Sequence, residues 1–449
     1  MQSDLVLDWL EGIPYSSEPG LDLSTAPTRK ILKRRRVHQA PTPDPPSGMS
    51  SIDDVESQGA RKRPHVDEET PRPKQRSRRA ISPPSLSDHA SYSQKSASQT
   101  SNRSPQRQLA ALELVDEGVI VREMSSLQDR PPELASLLSK MQLISRGIGI
   151  LDPSLRPSFR SHHNARASEI GLDAFWFSND RNQLGCTPGI EAVLKIHAFA
   201  AECAQNSHPE ANWITLVHDG LLRLALQPPH KPLFTSLVGH MPCTTATILS
   251  CYLPSLLPPK KVDYCIYVDP SNDSSPLATA SRIANLRQTL PGKAINHTNF
   301  YPLRHRPIAL SIETKKTGEG WDGATLQMGV WQSAHWSLLR SLTNIARTND
   351  RRQKNLGQTG LLEDEPNDIP LPERKLPQFL PGIIIQGHDW NFVLTTPEGS
   401  QTVLWTKLII GSTSDILGIY QIVCALQVLR DWIQTSYWPY LRELLGTGD

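Results

Sequence analysis

The chain has 449 residues, a formal net charge of +2 at pH 7, 38 % hydrophobic residues and 38 prolines. That apolar content is low for a wholly globular chain, so a folded domain joined to a long unfolded region is expected. No run of about 18 or more apolar residues occurs, which argues against a membrane-spanning helix, and the opening "MQSDLVLDWLEGIP" lacks the basic region of a secretory signal.

Residues 1–108 differ from the rest in composition. They are dense in Pro, Ser, Arg, Lys and Gln and poor in aromatic and branched apolar residues. Such a segment buries too little surface to offset chain entropy and is expected to be a disordered tail. Within it, "DLVLDWLEGI" carries Leu5, Leu7, Trp9 and Leu10, enough for one or two helical turns on a partner but too short to persist alone. Two basic clusters follow, Arg29–Arg36 and Arg61–Arg79. Residues 29–107 hold 17 Lys and Arg against 8 Asp and Glu, near +9. The clusters read as nuclear-import signals for an import receptor, hence a nuclear protein; a nucleic-acid arm and a merely solvated tail are the alternatives.

A helical lead-in is expected over 109–170, from "LAALELVDEGVIVREM" and "PPELASLLSKMQLISRGIGIL", and one domain over 171–449. "TPGIEAVLKIHAFAAECAQ" has apolar residues at three-four spacing and reads as a helix. A second helix starts at Pro209 and carries "EANWITLVHDGLLRLAL". Strands are expected at "TTATILSCYL", "KKVDYCIYVDP" and "PIALSIETK", then a helix over 322–343. The charged stretch 349–375 reads as a surface insertion. Two further strands, "GIIIQGHDWNFVLTT" and "TVLWTKLIIG", precede a long C-terminal helix capped within Ser412–Asp415 and running to about Leu445. This order implies a mixed α/β (α+β) sheet flanked by helices. The six cysteines show no CxxC pair and read as reduced, mostly buried thiols of an intracellular protein, with a zinc site the lesser reading.

One strand ends in chemistry. Side chains alternate along a strand, so in "PIALSIETK" Glu313 and Lys315 share a face and Thr314 takes the other. An acid there can bind a hard cation such as Mg²⁺ through oxygen. A lysine two residues on can hold or deprotonate a water that attacks phosphorus. Asp263, on the apolar strand "KKVDYCIYVDP", offers a second carboxylate.

Asp263, then Glu313-Thr-Lys315, then a helix with Gln327 resembles the PD-(D/E)XK nuclease superfamily. The wider wording "INHTNFYPLRHRPIALSIETKK…LQMGVWQSAHW", with "EANWITLVH", resembles a nuclease-like domain common in fungal proteins and covers roughly Gly171 to the C-terminus. The resemblance implies a restriction-endonuclease-like αβββαβ core with extra helices. It implies that Asp263, Glu313 and a helix acid bind one or two Mg²⁺ or Mn²⁺ ions, that Lys315 assists the nucleophile, and that DNA is the partner. Glu210, which opens "EANWITLVH", best matches the helix acid, with Glu202 its competitor. Gln327 matches the polar residue of the following helix. Two departures stand out: Asp263 follows Val262 rather than Pro, and 50 residues separate Asp263 from Glu313. About 30 of those must be an insertion, free to cover the site or read substrate, and it keeps open a loss of activity.

Each residue also has a plain reading. Glu313 and Lys315 would make a strand-end ion pair worth only about 0–1 kcal/mol if exposed. Asp263 would be a charge on an edge strand. Glu210 sits where a helix dipole favours any acid, and Gln327 lies on an apolar arc where a satisfied core amide would also fit. The sequence thus points to a metal-dependent DNA phosphodiesterase, with a catalytically silent nuclear DNA- or protein-binding module as the alternative.

Overall fold

The computed structural model describes residues 104–170, 173–253, 259–318, 320–358 and 374–446. The chain divides between Tyr92 and Ser93, and every described residue belongs to the second unit. The N-terminal motif, both basic clusters and residues 359–373 of the charged insertion lie outside the described residues.

The strands are β1 (Val119–Glu123), β2 (Val238–Pro242), β3 (Tyr264–Val268), β4 (Ile308–Lys315), β5 (Leu380–Gln386), β6 (Asp389–Glu398) and β7 (Gln401–Ser412). They form one mixed sheet in the order β1-β7-β6-β5-β4-β3-β2. Strands β1 and β4 run parallel to β7 and β5, and the other neighbours are antiparallel. The main helices are α1 (Pro105–Glu113), α2 (Pro132–Ser145), α3 (Ile190–Gln205), α4, α5 (Pro276–Thr289), α6 (Trp321–Gln358) and α7 (Ile416–Leu445). Helix α4 is a series: Glu210–Trp213, a π-type turn at Ile214–His218, then Asp219–Leu226.

The parallel pair β4 and β5 requires a crossover, and α6 supplies it. Its tryptophans bury their bulk on the sheet while each indole N–H finds a hydroxyl, Trp331 on Ser311 (2.9 Å) and Trp336 on Thr395 (2.9 Å). Gln332, 2 % exposed, ties the same layer together through Pro381 O (3.0 Å) and Thr395 Oγ1 (2.7 Å). Helix α4 lies on the face of Tyr264 and Ile312, because the Tyr264 hydroxyl donates to Ile214 O at 2.8 Å and Tyr264 pairs with Ile312. Helix α7 starts at Asp415, whose carboxylate accepts from Gly418 N. It is apolar and long enough to pass for a membrane span, yet 78 % of that window is buried inside the domain, as a core helix would be. A π-type turn at Ile433–Tyr437 precedes Pro439, which has no N–H to donate.

Several expectations need correction. "LAALELVDEGVIVREM" is not one helix: α1 stops at Glu113 and the β-branched run Val119–Val121 joins the sheet as β1. The stretch 109–170 therefore contributes a strand as well as helices. Helix α1 already begins at Pro105, and its Leu112 is buried in the core. "TTATILSCYL" is a turn and a short 3₁₀ helix, with only an isolated bridge from Ile248 to Thr298. The strand lies upstream at Val238–Pro242, an edge position where a terminal proline is tolerated. "GIIIQGHDWNFVLTT" folds back as β5 and β6, and α6 runs on to Gln358. Asp263 sits one residue before β3 rather than within it.

Candidate active site

Strand β4 is buried along its length until Lys315. Ser311 meets Trp331 of α6, so by alternation Ser311, Glu313 and Lys315 share the α6 face, while Ile312 and Thr314 face α4. Asp263 continues the β3–β4 ladder opposite Glu313: its N–H donates to Ile312 O at 3.0 Å, and its carbonyl accepts from Cys243 N at 2.7 Å.

Four of the expected residues gather at this strand end. Lys315 donates its ammonium to Glu313 Oε1 and to Thr314 O (2.9 Å). Asp263 Oδ2 accepts from both the N–H (2.8 Å) and the hydroxyl (2.9 Å) of Thr314. That hydroxyl also lies 3.1 Å from Glu210 Oε1. Glu210 thus reaches the site over the strand end, from the α4 face, and meets Asp263 through Thr314 rather than meeting Glu313 directly. Gln327 is half-buried and donates to Lys261 O at 3.2 Å, which steadies the segment leading to Asp263 without touching a carboxylate. Glu202 is exposed, accepts from the Asn206 amide at 2.8 Å and lies 3.7 Å from the His208 ring, as a helix-surface acid does.

Thr314 is the residue that sequence reasoning passed over. It is the unspecified middle position of the motif, fully buried, and it holds two of the acids on one hydroxyl. The only hint in the sequence was its alternation toward the helix that Glu210 opens.

The electrostatics are tense. Glu313 is 1 % exposed, and its buried Oε2 has no hydrogen-bond partner among the described residues. Burial pushes its carboxyl well above the ordinary range, and the Asp263 charge adds to that; Lys315 offsets only part. For Lys315 burial works against the ammonium, but Glu313, Glu210 and Asp263 together outweigh it and raise its pKa. Lys315 is therefore a cation here, suited to donating hydrogen bonds rather than to taking a proton. Behind the acids, Cys243 and Cys265 pack thiol to thiol at 3.2 Å, and burial pushes the Cys243 thiol up.

Asp263 and Glu313 fit a hard divalent cation: both are oxygen donors, and the orphaned Glu313 Oε2 lacks the partner a buried carboxylate needs. Among the described residues no three His, Cys, Asp or Glu side chains cluster closely enough to hold a metal ion. Lys315 occupies one Glu313 oxygen, and the Thr314 hydroxyl lies between Asp263 Oδ2 and Glu210 Oε1.

The turn at Gly387 braces the strand end. Its N–H donates to Lys315 O at 2.8 Å, and its φ of +58° is left-handed. A side chain there would run into Thr317. The insertion after β3 behaves differently from expectation. β3 leaves the site and β4 returns to it, so residues 269–307 join them at the opposite end of the sheet, about 17 Å of strand away. They do not cover the acids. A cavity of about 1170 Å³ also lies at that far end.

Neither a curated protein nor a solved structure matches the chain. A family model of the PD-(D/E)XK nuclease superfamily matches residues 158–438, a span that takes in Glu210, Asp263, Glu313, Lys315 and Gln327. With that match over more than half of its length, the chain belongs to the PD-(D/E)XK nuclease superfamily.

Proposed function

We propose that the domain hydrolyses nucleic-acid phosphodiester bonds, with DNA the favoured substrate, at a site made by Asp263, Glu313 and Lys315. The observation that supports this most is the buried, partnerless Oε2 of Glu313 beside Asp263, an arrangement unfavourable without a cation. Asp263 and Glu313 would hold Mg²⁺ or Mn²⁺, with Glu210 held in place through Thr314. The ion would polarise the scissile phosphate and acidify a bound water. Lys315 would donate hydrogen bonds to orient that water or a phosphate oxygen, and Gln327 would keep the Asp263 segment in register. The protein would act in the nucleus, delivered by an import receptor that reads its basic clusters.

The Glu313–Lys315 ion pair and the absence of a three-ligand cluster among the described residues favour a second reading, a silent domain that binds DNA or another protein. Cleavage of labelled single- and double-stranded DNA with Mg²⁺ or Mn²⁺ separates the two. Wild type should cut, and Lys315→Ala, checked for native circular dichroism, should lose at least about 100-fold in rate. Wild-type protein that leaves every substrate intact with both metals would leave only the silent reading.

A further inference from the structure

The far end of the sheet carries a charge pattern that the acid site does not use. From Ser274 to Ile312 the chain has no Asp or Glu and five cations: Arg282, Arg287, Lys293, Arg304 and Arg306. Arg306 is paired with Asp269 at 2.9 Å. Among the described residues the other four have no carboxylate partner: Arg287 bonds Lys293 O (2.8 Å), Arg304 bonds Asn299 O (3.3 Å) and Lys293 bonds Gln288 O.

The cavity at this end is a groove between α5, α6 and the end of α7, floored mainly by apolar side chains such as Leu286, Ile308, Leu339 and Leu441. Arg282 stands on one wall, Arg340 and Arg352 on the other, and Asn285, Asn344 and Asn349 offer amides between them. Among the described lining residues Glu117 is the one carboxylate; its charge acts on Arg340, which also donates to Gly399 O at 3.4 Å. Arg340 and Arg352 are twelve residues apart on one helix, about 18 Å. Beside the groove, Tyr301 is 76 % exposed and lies 4.9 Å from the guanidinium of Arg304. Arg304 O accepts from the N–H of Ile295, a lining residue, which ties the backbone of this segment to the groove.

Three arginines around a concave, largely apolar track, with an exposed ring backed by an arginine beside it, are the chemistry that holds a single nucleic-acid strand: charges on phosphates, and apolar and π-faces for bases. We infer that the α5–α6 groove binds single-stranded nucleic acid, at the opposite end of the sheet from Glu313. This site is independent of the proposed cleavage, because none of its residues touches the acids. An acidic helical peptide is the rival occupant, and the Tyr301–Arg304 platform favours the strand.

The test uses the full-length protein and a 15-nucleotide oligothymidylate carrying 4-thiothymidine. Photo-crosslinked peptides are mapped by mass spectrometry, and affinity is read by anisotropy across a salt series. Cross-links are expected within 282–304 and 340–352. They should be lost in the Arg282→Ala/Arg340→Ala/Arg352→Ala variant, whose log K against log salt slope should be shallower by about 2. Tyr301→Ala should weaken the single strand at least threefold without changing that slope. Glu313→Gln should leave the cross-links within 282–304 and 340–352 in place, so failure of the cleavage reading would not mimic failure here. Cross-links confined to residues 1–107 or to the Glu313 end would overturn the inference. So would a complete absence of cross-links, or an acidic helical peptide that needs the same arginines while the oligonucleotide does not.

Discussion

The Glu313 carboxylate has one oxygen on Lys315 and the other on nothing, in a place where burial resists its ionisation. Cation binding needs it ionised, so divalent affinity should fall as pH falls through a pKa that lies above the ordinary glutamate range. Glu313, Lys315 and Asp263 were legible in the sequence because an apolar strand that ends in acid and base has few other uses, and alternation fixes which side chains share a face. Thr314 was not legible, because its role depends on two acids from distant segments meeting at one hydroxyl. Glu210 was readable as a helix acid but not as one that arrives from the other face. His218 is buried, with both ring nitrogens unpartnered among the described residues and its ring near Trp213 and Trp390. Burial lowers its pKa to about 3, so it is neutral when folded but binds a proton when unfolded below about pH 6.5. Stability therefore drains away as pH falls from about 6.5 toward 3. His218→Phe should be more stable than wild type by about 2 kcal/mol near pH 5, with a smaller gap at pH 8, measured by urea unfolding. An equal gap at both pH values would show that His218 does not titrate in this way.

At the scale of elements, the site depends on how β4 ends. The strand, the α6 crossover and the α5 insertion helix were readable from periodicity and from their apolar runs. The edge strands were not. β1 looks like the tail of a helix until β7 is there to pair with it, and β2 contains Gly239 and Pro242, which argue against a strand in isolation. The Gly387 turn is a tertiary feature of the same kind: nothing local reveals that its N–H will hold Lys315 O. Gly387→Ala should impose a left-handed backbone on a residue that resists it and press on Thr317. Its expected cost is about 1 kcal/mol or more of stability, with a loss of divalent binding although no carboxylate has changed. Thermal unfolding and metal titration on one preparation check both. Unaltered metal binding would mean the turn does not position the strand end.

For the whole molecule, the composition break near residue 108 is close to the first buried side chains, but the fold moves the working boundary to Pro105. Gln108 and Leu112 of α1 are buried, so truncation should be tolerated only up to α1. Removing residues 1–103 should leave the thermal midpoint within about 2 °C of wild type. Removing residues 1–113 should lower it clearly, since loss of one buried leucine alone costs about 2–5 kcal/mol. A large drop from the shorter deletion would show that the tail contributes to the domain. The two ends of the sheet then divide the molecule's chemistry: carboxylates and Lys315 where β4 ends, unpaired arginines where it begins. The sequence could list both sets of residues. Only the strand directions reveal that the insertion lies at the end of the sheet opposite the acids. The central claim is that Asp263 and Glu313 hold a divalent cation, and Mn²⁺ titration followed by electron paramagnetic resonance tests it most directly. The account predicts saturable Mn²⁺ binding by wild type and by Lys315→Ala, and binding at least about 10-fold weaker in Glu313→Gln with unchanged circular dichroism. Equal Mn²⁺ binding by wild type and Glu313→Gln, or none by either at millimolar metal, would contradict it.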